Sequence, residues 1–184
     1  MEKRTEALIG FLDSAHSVFH AVAGLEKALL EAGYQALNEW DSWNLVPGGK
    51  YYLKRNDSAI LAFRIPQSNP KGFLISASHA DRPCFKVKEN GELKGAYTRL
   101  AVERYGGMLI APWLDRPLSV AGRVMVETES GIERLTTCIN TKRSSEICKF
   151  VSQILINLAI IIISNPVILN NNCNHMPVLN IIFR

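Results

Sequence analysis

A histidine and an aspartate separated by one residue form the pair with the clearest capacity for chemistry. His79 and Asp81 follow the run Phe73–Ser78, which is apolar and then small, a pattern typical of a strand buried on both faces. Residues two apart in an extended backbone point to the same side. His79 can therefore offer a ring nitrogen to Zn²⁺, while Asp81 orients that imidazole or modulates a metal-bound water. The pair predicts a metal site beyond the end of the strand, although a His-x-Asp pair without function is the alternative.

Other residues whose types could take part in chemistry do not stand in the sequence motifs that this chemistry would need. His16 and His20 are four apart, but no Glu completes the HExxH pattern of the zincins, so a structural role at a helix end is favoured. Ser119 has no G-x-S-x-G frame, which excludes a hydrolase elbow. Cys173 and His175 lack the second close pair that a zinc knuckle needs.

The composition is that of a chain with a packed core. Of its 184 residues, 47% are hydrophobic and 21% are charged, which argues against disorder. The formal net charge of +4 is spread along the chain without a dense basic run. A binding partner made of nucleic acid is therefore not expected.

The amino terminus and the cysteines favour a cytoplasmic protein. The first 14 residues mix acids and bases without a continuous apolar core, unlike a signal peptide. The most apolar run, Ile154–Ile163, is too short to cross a bilayer, which needs about 20 residues, so no membrane association is expected. The four cysteines lie far apart and are expected to be reduced thiols. They are Cys84, Cys138, Cys148 and Cys173.

The first part of the chain combines helices with strands, which predicts an α/β fold. Apolar residues at helical spacing predict one helix around residues 7–12 and a second that starts near Ser17 and stops at Gly33. Residues 50–55 and 59–65 read as a hairpin joined at Asn56-Asp57-Ser58.

From Pro83 onward the pattern predicts short strands, typical of a small barrel or sandwich. Asn90-Gly91 is a turn signal, and we place a domain boundary near residue 90. The remaining strands are predicted over residues 96–102, 108–111, 120–128 and 132–139.

Several motifs occur in an order that resembles one peptidase family. They are Phe19-His20-Ala21-Val22, Pro47-Gly48-Gly49-Lys50-Tyr51-Tyr52, His79-Ala80-Asp81-Arg82-Pro83-Cys84-Phe85-Lys86-Val87-Lys88, Val102-Glu103-Arg104-Tyr105-Gly106-Gly107 and Trp113-Leu114-Asp115-Arg116-Pro117-Leu118-Ser119-Val120-Ala121-Gly122-Arg123-Val124. Across residues 5–140 the sequence closely resembles the M18 metallopeptidases, the aspartyl aminopeptidases.

The resemblance implies a fold, an activity and partners. Residues 1–90 would be the first part of an α/β zinc-peptidase catalytic domain, and residues 91–184 part of a β-rich insertion that serves assembly. The family enzyme holds two Zn²⁺ per active site and releases N-terminal, preferably acidic, residues from peptides as a homo-oligomer. On that resemblance His79 is a metal ligand and Asp81 the catalytic carboxylate beside it.

The sequence also departs from the family pattern. Ala80 stands where the family commonly has Thr or Ser, and Arg82 stands where a small residue is usual. Its positive charge would be unfavourable beside a metal dication, or would instead favour an acidic substrate. Ile161 stands where the family has a histidine that reaches a neighbouring subunit, and no adjacent pair of Glu residues follows His79. We therefore predict a truncated chain that is inactive alone. The alternative is a non-catalytic assembly or regulatory fragment of such an enzyme.

Overall fold

A computed structural model describes residues 2–69, 71–93, 95–96, 99–114, 118–128, 130–139 and 178–182. The helices there are α1 (Lys3–Ser14), α2 (Val18–Glu31) and α3 (Ala111–Leu114). The strands are β1 (Gln35–Ala36), β2 (Lys50–Arg55), β3 (Ala59–Arg64), β4 (Cys84–Leu93), β5 (Arg99–Tyr105), β6 (Ser119–Thr128), β7 (Gly131–Ile139) and β8 (Val178–Ile182). The chain divides into two compact units, one of residues 18–81 and one of residues 1–17 with 82–184.

The unit of residues 18–81 contains α2 and a three-stranded sheet in the order β1-β2-β3. β1 runs parallel to β2, and β2 and β3 form the predicted antiparallel hairpin. Asn56 and Asp57 both adopt φ of 53° in its turn, the left-handed region that these two residue types tolerate better than most. The buried side chains are Phe19, Ala21 and Val22 of α2 and Tyr51 and Tyr52 of β2.

Helix α2 ends close to where the sequence predicts. Gly33 has φ of +78°, which favours a residue without a Cβ. The Gly33 amide donates to the carbonyl of Leu30 at 3.0 Å and the Tyr34 amide to that of Leu29 at 2.9 Å. These two bonds form a Schellman motif that satisfies carbonyls at the end of the helix.

The unit of residues 1–17 and 82–184 contains α1, α3 and a mixed sheet in the order β5-β4-β8-β6-β7. β4 pairs with β5 and β6 with β7 in antiparallel fashion, while β8 runs parallel to both β4 and β6. Its buried apolar side chains include Cys84, Val87, Val120 and Ala121. The strand-rich texture predicted after Pro83 is confirmed, and the described strands form one open sheet.

The strand predicted over Phe73–Ser78 is wrong for this structure. The segment is neither helix nor strand, and none of the described strands pairs with it. The exposed fractions of Phe73, Leu74 and Ile75 are 91%, 102% and 83%, so a run expected to be buried on both faces is covered on neither. A strand forms only where a neighbouring backbone supplies hydrogen-bond partners, and the described residues supply none here.

Two further local predictions are also wrong. Residues 108–111 form no strand, because α3 begins at Ala111 and Pro112 lies in its first turn, where a missing amide proton costs no helical hydrogen bond. Asn90-Gly91 does not turn the chain, since β4 continues through it. A register shift between Val87 and Glu92 accommodates the extra residues in the manner of a β-bulge.

Some sequence predictions fall outside the described residues or are not tested by them. The apolar run Ile154–Ile163 and the cysteines Cys148 and Cys173 lie outside the described ranges, whereas Cys84 and Cys138 form no disulfide within the part of the chain that the structure describes. The domain boundary at residue 90 lies within β4 and stays a prediction. None of the helices in the part of the chain that the structure describes is long and apolar enough to cross a membrane.

Candidate metal centre

His79 and Asp81 lie in extended chain directly after the unpaired segment, and their side chains meet. The Nδ1 atom of His79 is 2.8 Å from the main-chain oxygen of Asp81 and 3.1 Å from its carboxylate Oδ1. The structure thus brings together the two residues that the sequence singled out.

The contact with the main-chain oxygen fixes which ring nitrogen carries the proton. A carbonyl oxygen can only accept a hydrogen bond, so Nδ1 must be the protonated nitrogen. In the neutral imidazole the lone pair then belongs to Nε2, the atom that a metal ion would bind. Hydrogen bonding of the second ring nitrogen to a carbonyl or a carboxylate is the usual arrangement of histidine ligands in metal sites.

The main-chain carbonyl of Asp81 is a participant that sequence reasoning did not identify. The sequence assigned the orienting role to the Asp81 carboxylate alone, but the shorter contact is to the backbone. Because every residue carries a carbonyl, no sequence signal marks the one that turns towards a ring nitrogen. Only the local path of the chain after His79 decides this.

The described residues do not form a complete zinc site. The side chains of His79 and Asp81 are 81% and 44% exposed. Among the residues that the structure describes, no group of three or more His, Cys, Asp or Glu side chains is arranged to hold a metal ion. Protein zinc sites use three or four protein ligands. One imidazole with its hydrogen-bonded carboxylate could supply one ligand of such a site but not the full set.

Arg82 and His16 are held together by a different contact. Nη2 of Arg82 donates to the main-chain oxygen of His16 at 3.2 Å, within the unit that contains both residues. Burial lowers the pKa of His16, the Arg82 guanidinium lowers it further, and the carboxylate of Asp13 opposes both. Burial likewise lowers the pKa of Arg82. The guanidinium that sequence reasoning assigned to substrate preference is therefore engaged with the chain between α1 and α2.

Comparison with known protein families shows which family this chain belongs to. The profile of the family described as aminopeptidase I zinc metalloprotease (M18) matches residues 11–181. The chain belongs to the M18 family. The resemblance inferred from the ordered motifs is confirmed, and with it the assignment to a metallo-aminopeptidase family of hydrolases.

The curated relatives are longer than this M18 chain. A probable M18 family aminopeptidase 2 from Pseudomonas putida strain GB-1 is 46% identical over 129 residues, which is 68% of this chain and 30% of the relative. The counterpart from Pseudomonas fluorescens strain SBW25 is 43% identical over 135 residues, 72% of this chain and 32% of that relative. The chain thus spans about a third of the length of the curated relatives that it matches.

Solved structures support the α/β fold of this M18 chain. The mApe1 structure from Chaetomium thermophilum matches with a TM-score of 0.65 at 36% identity. The match covers 74% of this chain and 32% of the mApe1 chain. A chain of the S. cerevisiae mApe1 dodecamer matches with a TM-score of 0.68 at 27% identity. The match covers 78% of this chain and 34% of the mApe1 chain. The predicted fold class is confirmed.

Proposed function

We propose that this chain supplies the first metal-ligand histidine, His79, and its partner carboxylate, Asp81, to an aminopeptidase of the M18 family. The observation that carries the proposal is the hydrogen bond from Nδ1 of His79 to Asp81, which leaves Nε2 with the lone pair. The family match supports this role, because the family is described as a zinc metalloprotease and a histidine with its lone pair on Nε2 can bind zinc.

The proposal extends to the reaction of the whole enzyme. The substrate would be a peptide with a free N-terminus, an acidic first residue would be preferred, and two Zn²⁺ would be bound per active site. Zinc would supply Lewis acidity there. The chain's own residues would hold the imidazole in one tautomer through Asp81. A homo-oligomeric enzyme is part of the proposal, supported by the dodecamer named for the S. cerevisiae neighbour.

We further propose that these 184 residues do not hydrolyse peptides by themselves. The sequence contains four histidines and no adjacent pair of Glu residues after His79. The described residues group fewer than three metal-binding side chains at any point. A site with one ligand retains zinc too weakly for catalysis, because each lost ligand removes a large part of the binding free energy.

A hybrid enzyme tests the roles of His79 and Asp81. The present chain would replace the matched part of the P. putida relative in one continuous polypeptide, whose zinc content and hydrolysis of peptides beginning with Asp, Glu or Ala are then measured. We expect turnover that favours the acidic substrates and that His79→Ala abolishes. Asp81→Ala removes the carboxylate but keeps the main-chain oxygen that accepts from Nδ1, so it should weaken zinc binding by about tenfold, the lower end of the effect typical of groups that orient a metal ligand.

The matched control is Asp41→Ala, which removes an exposed carboxylate from the same compact unit. Zinc content and turnover of the hybrid should be unchanged by it. Turnover and zinc content that survive His79→Ala would contradict the ligand assignment, and equal rates on acidic and neutral substrates would contradict the proposed preference. Turnover by the present chain alone with added Zn²⁺, lost in His79→Ala, would contradict its inactivity.

A non-catalytic assembly or regulatory role is the second candidate, and the exposed apolar segment before His79 favours it. A subunit fragment that keeps such a surface can associate with other chains without carrying out the reaction. The hybrid separates the two candidates, because an assembly fragment has no need of His79. In that case the substitution His79→Ala would leave every measured property of the hybrid unchanged.

A further inference from the structure

Arg82 follows directly on the aspartate that contacts His79, and its guanidinium bonds to a distant stretch of the chain. Nη2 of Arg82 donates to the main-chain oxygen of His16 at 3.2 Å. The two residues are 66 apart in the sequence, so this is a tertiary contact and not a local one. A small side chain at position 82 could not reach His16, so the contact depends on the arginine itself.

The two residues after Arg82 are restrained as well. The backbones at Pro83 and Gly106 approach so closely that a Cβ added to Gly106 would lie 3.4 Å from Cα of Pro83. Cys84 is only 1% exposed and opposes Tyr105 in the pairing of β4 with β5. Arg82 is therefore held both by its own side chain and by the course of the chain that follows it.

The peptide bond between Asp81 and Arg82 carries these restraints towards His79. Its six atoms are coplanar, and they include the Asp81 oxygen that lies 2.8 Å from Nδ1 of His79. Rotation of this plane about the N–Cα bond of Arg82 decides whether the oxygen faces the imidazole. A residue that precedes proline is confined to extended conformations, so Pro83 narrows the range of that rotation.

We propose that Arg82 is a positioning residue for His79 and acts through the peptide that it shares with Asp81. The bond to His16 and the constraint from Pro83 hold this peptide so that its oxygen faces Nδ1. The ring proton then stays on Nδ1 and the lone pair on Nε2. The use of that lone pair for zinc rests on the proposed function, whereas the effect of Arg82 on the ring proton does not.

Direct contact with an acidic substrate is the competing role for the Arg82 guanidinium. A guanidinium has five N–H donors, so the bond to His16 leaves others for a carboxylate. An arginine that serves only the substrate has no influence on the ring proton of His79 when no substrate is present. The two roles therefore predict different results for the same substitution.

The test uses the complete 184-residue chain without zinc or substrate, with ¹⁵N in its histidines. Long-range ¹H–¹⁵N NMR spectra at about pH 8.5, where imidazoles are neutral, give the ratio of Nδ1-protonated to Nε2-protonated His79. The His79 signals are those missing from His79→Ala. Arg82→Met, which keeps an unbranched apolar stem, should lower this ratio about threefold to tenfold, the effect of losing one hydrogen bond. Arg82→Lys keeps a charged donor and should hold the ratio within about twofold of that of the unsubstituted chain.

The variant Asp81→Ala separates the two acceptors of Nδ1. It removes the carboxylate Oδ1, which lies 3.1 Å from Nδ1, and keeps the main-chain oxygen. If Arg82 acts through that oxygen, Arg82→Met should lower the His79 ratio more in the Asp81→Ala background than in the unsubstituted chain. A general loss of stability would not produce this dependence on the background.

Arg4→Met is the matched control, since it makes the same substitution at an exposed arginine of α1, and it should leave the His79 ratio unchanged. Pro83→Ala keeps the guanidinium but releases the backbone of Arg82, so it should lower the ratio too. This second variant decides the question if Arg82→Met does not fold.

The proposal is overturned if a folded Arg82→Met chain keeps the ratio of the unsubstituted chain, if Arg82→Lys lowers the ratio as far as Arg82→Met does, or if Pro83→Ala leaves it unchanged. It is equally overturned if the effect of Arg82→Met is no larger in the Asp81→Ala background. A hybrid enzyme that binds zinc without His79 would remove the proposed function and leave these ratios as they are, so the two failures are distinguishable.

Discussion

Glu26 of α2 links the helix to the hairpin, and its removal should measurably destabilise the unit of residues 18–81. Its Oε1 accepts a hydrogen bond from the Tyr52 hydroxyl at 3.0 Å, and its Oε2 lies 2.7 Å from Nζ of Lys54. Tyr52 as a whole is only 3% exposed, and Glu26→Ala removes the acceptor of its part-buried hydroxyl. Lys54 keeps a second partner, because Oδ1 of Asp57 lies 3.4 Å from its Nζ.

The expected cost follows from these two contacts. A buried hydroxyl left without an acceptor costs about 1–3 kcal/mol. The ion pair with Lys54 is partly exposed and contributes about 0.5–1 kcal/mol. The higher helix propensity of Ala offsets a few tenths of this, so we expect Glu26→Ala to lower the free energy of unfolding by about 1.5–3 kcal/mol. In a Tyr52→Phe background the same substitution should cost about 1 kcal/mol or less, because no hydroxyl is left unpaired.

Urea denaturation provides the measurement. A Trp113→Phe background confines the fluorescence signal to Trp40 and Trp43, both in the unit of residues 18–81. The matched control is Glu31→Ala at the exposed end of the same helix, which should change stability by no more than about 0.5 kcal/mol. Equal effects of the two substitutions, or an undiminished effect of Glu26→Ala in the Tyr52→Phe background, would refute the reasoning.

Two further predictions concern the same unit. Burial and the hydrogen bond to Glu26 raise the pKa of Tyr52 above its ordinary 10.0. Burial lowers the pKa of Lys54, but the hydrogen bonds and negative charges of Glu26 and Asp57 outweigh burial and raise that pKa above 10.5. The unfolded chain therefore loses these two protons at lower pH than the folded chain does, so the urea midpoint should fall as the pH rises above about 10. The midpoint should fall less steeply with pH in Tyr52→Phe, and the same slope in both proteins would contradict the assignment. A Cβ on Gly49 would lie 2.5 Å from the ring of the buried Tyr51, whose hydroxyl accepts from the Val46 amide at 3.0 Å. Gly49→Ala should cost about 1–3 kcal/mol in urea denaturation. Gly72→Ala in the same unit, whose Cβ would meet no atom within 4 Å, should cost about 0.5 kcal/mol or less, and equal costs would show that the Tyr51 side chain shifts to make room at little cost.

The sequence by itself determined the features whose causes lie within a few residues. Gly33 ends α2 because a left-handed residue is needed there, and Asn56-Asp57 turns the hairpin for the same reason. The pairing of His79 with Asp81 is local as well, since extended residues two apart reach each other. The order of motifs along the chain was enough to identify the M18 family.

Tertiary structure decided the features that depend on distant partners. Asn90-Gly91 carries a strong turn signal, but β4 runs through it, and its pairing with β5 resumes at Glu92 after a register shift. β8 lies between β4 and β6, although its five residues are far from both in sequence. The segment 73–78 shows the reverse case, an apolar pattern that predicts a strand where no described backbone pairs with it.

The physical reason is that a helix or a tight turn satisfies its hydrogen bonds from its own neighbours, whereas a strand takes them from elsewhere in the chain. Sequence could therefore name His79 and Asp81 and assign them to one site. It could not show that Nδ1 of His79 turns to the main-chain oxygen of Asp81, because the backbone path is set by packing and not by residue type. That contact, which leaves Nε2 free to bind a metal, is what the structure adds to the motif.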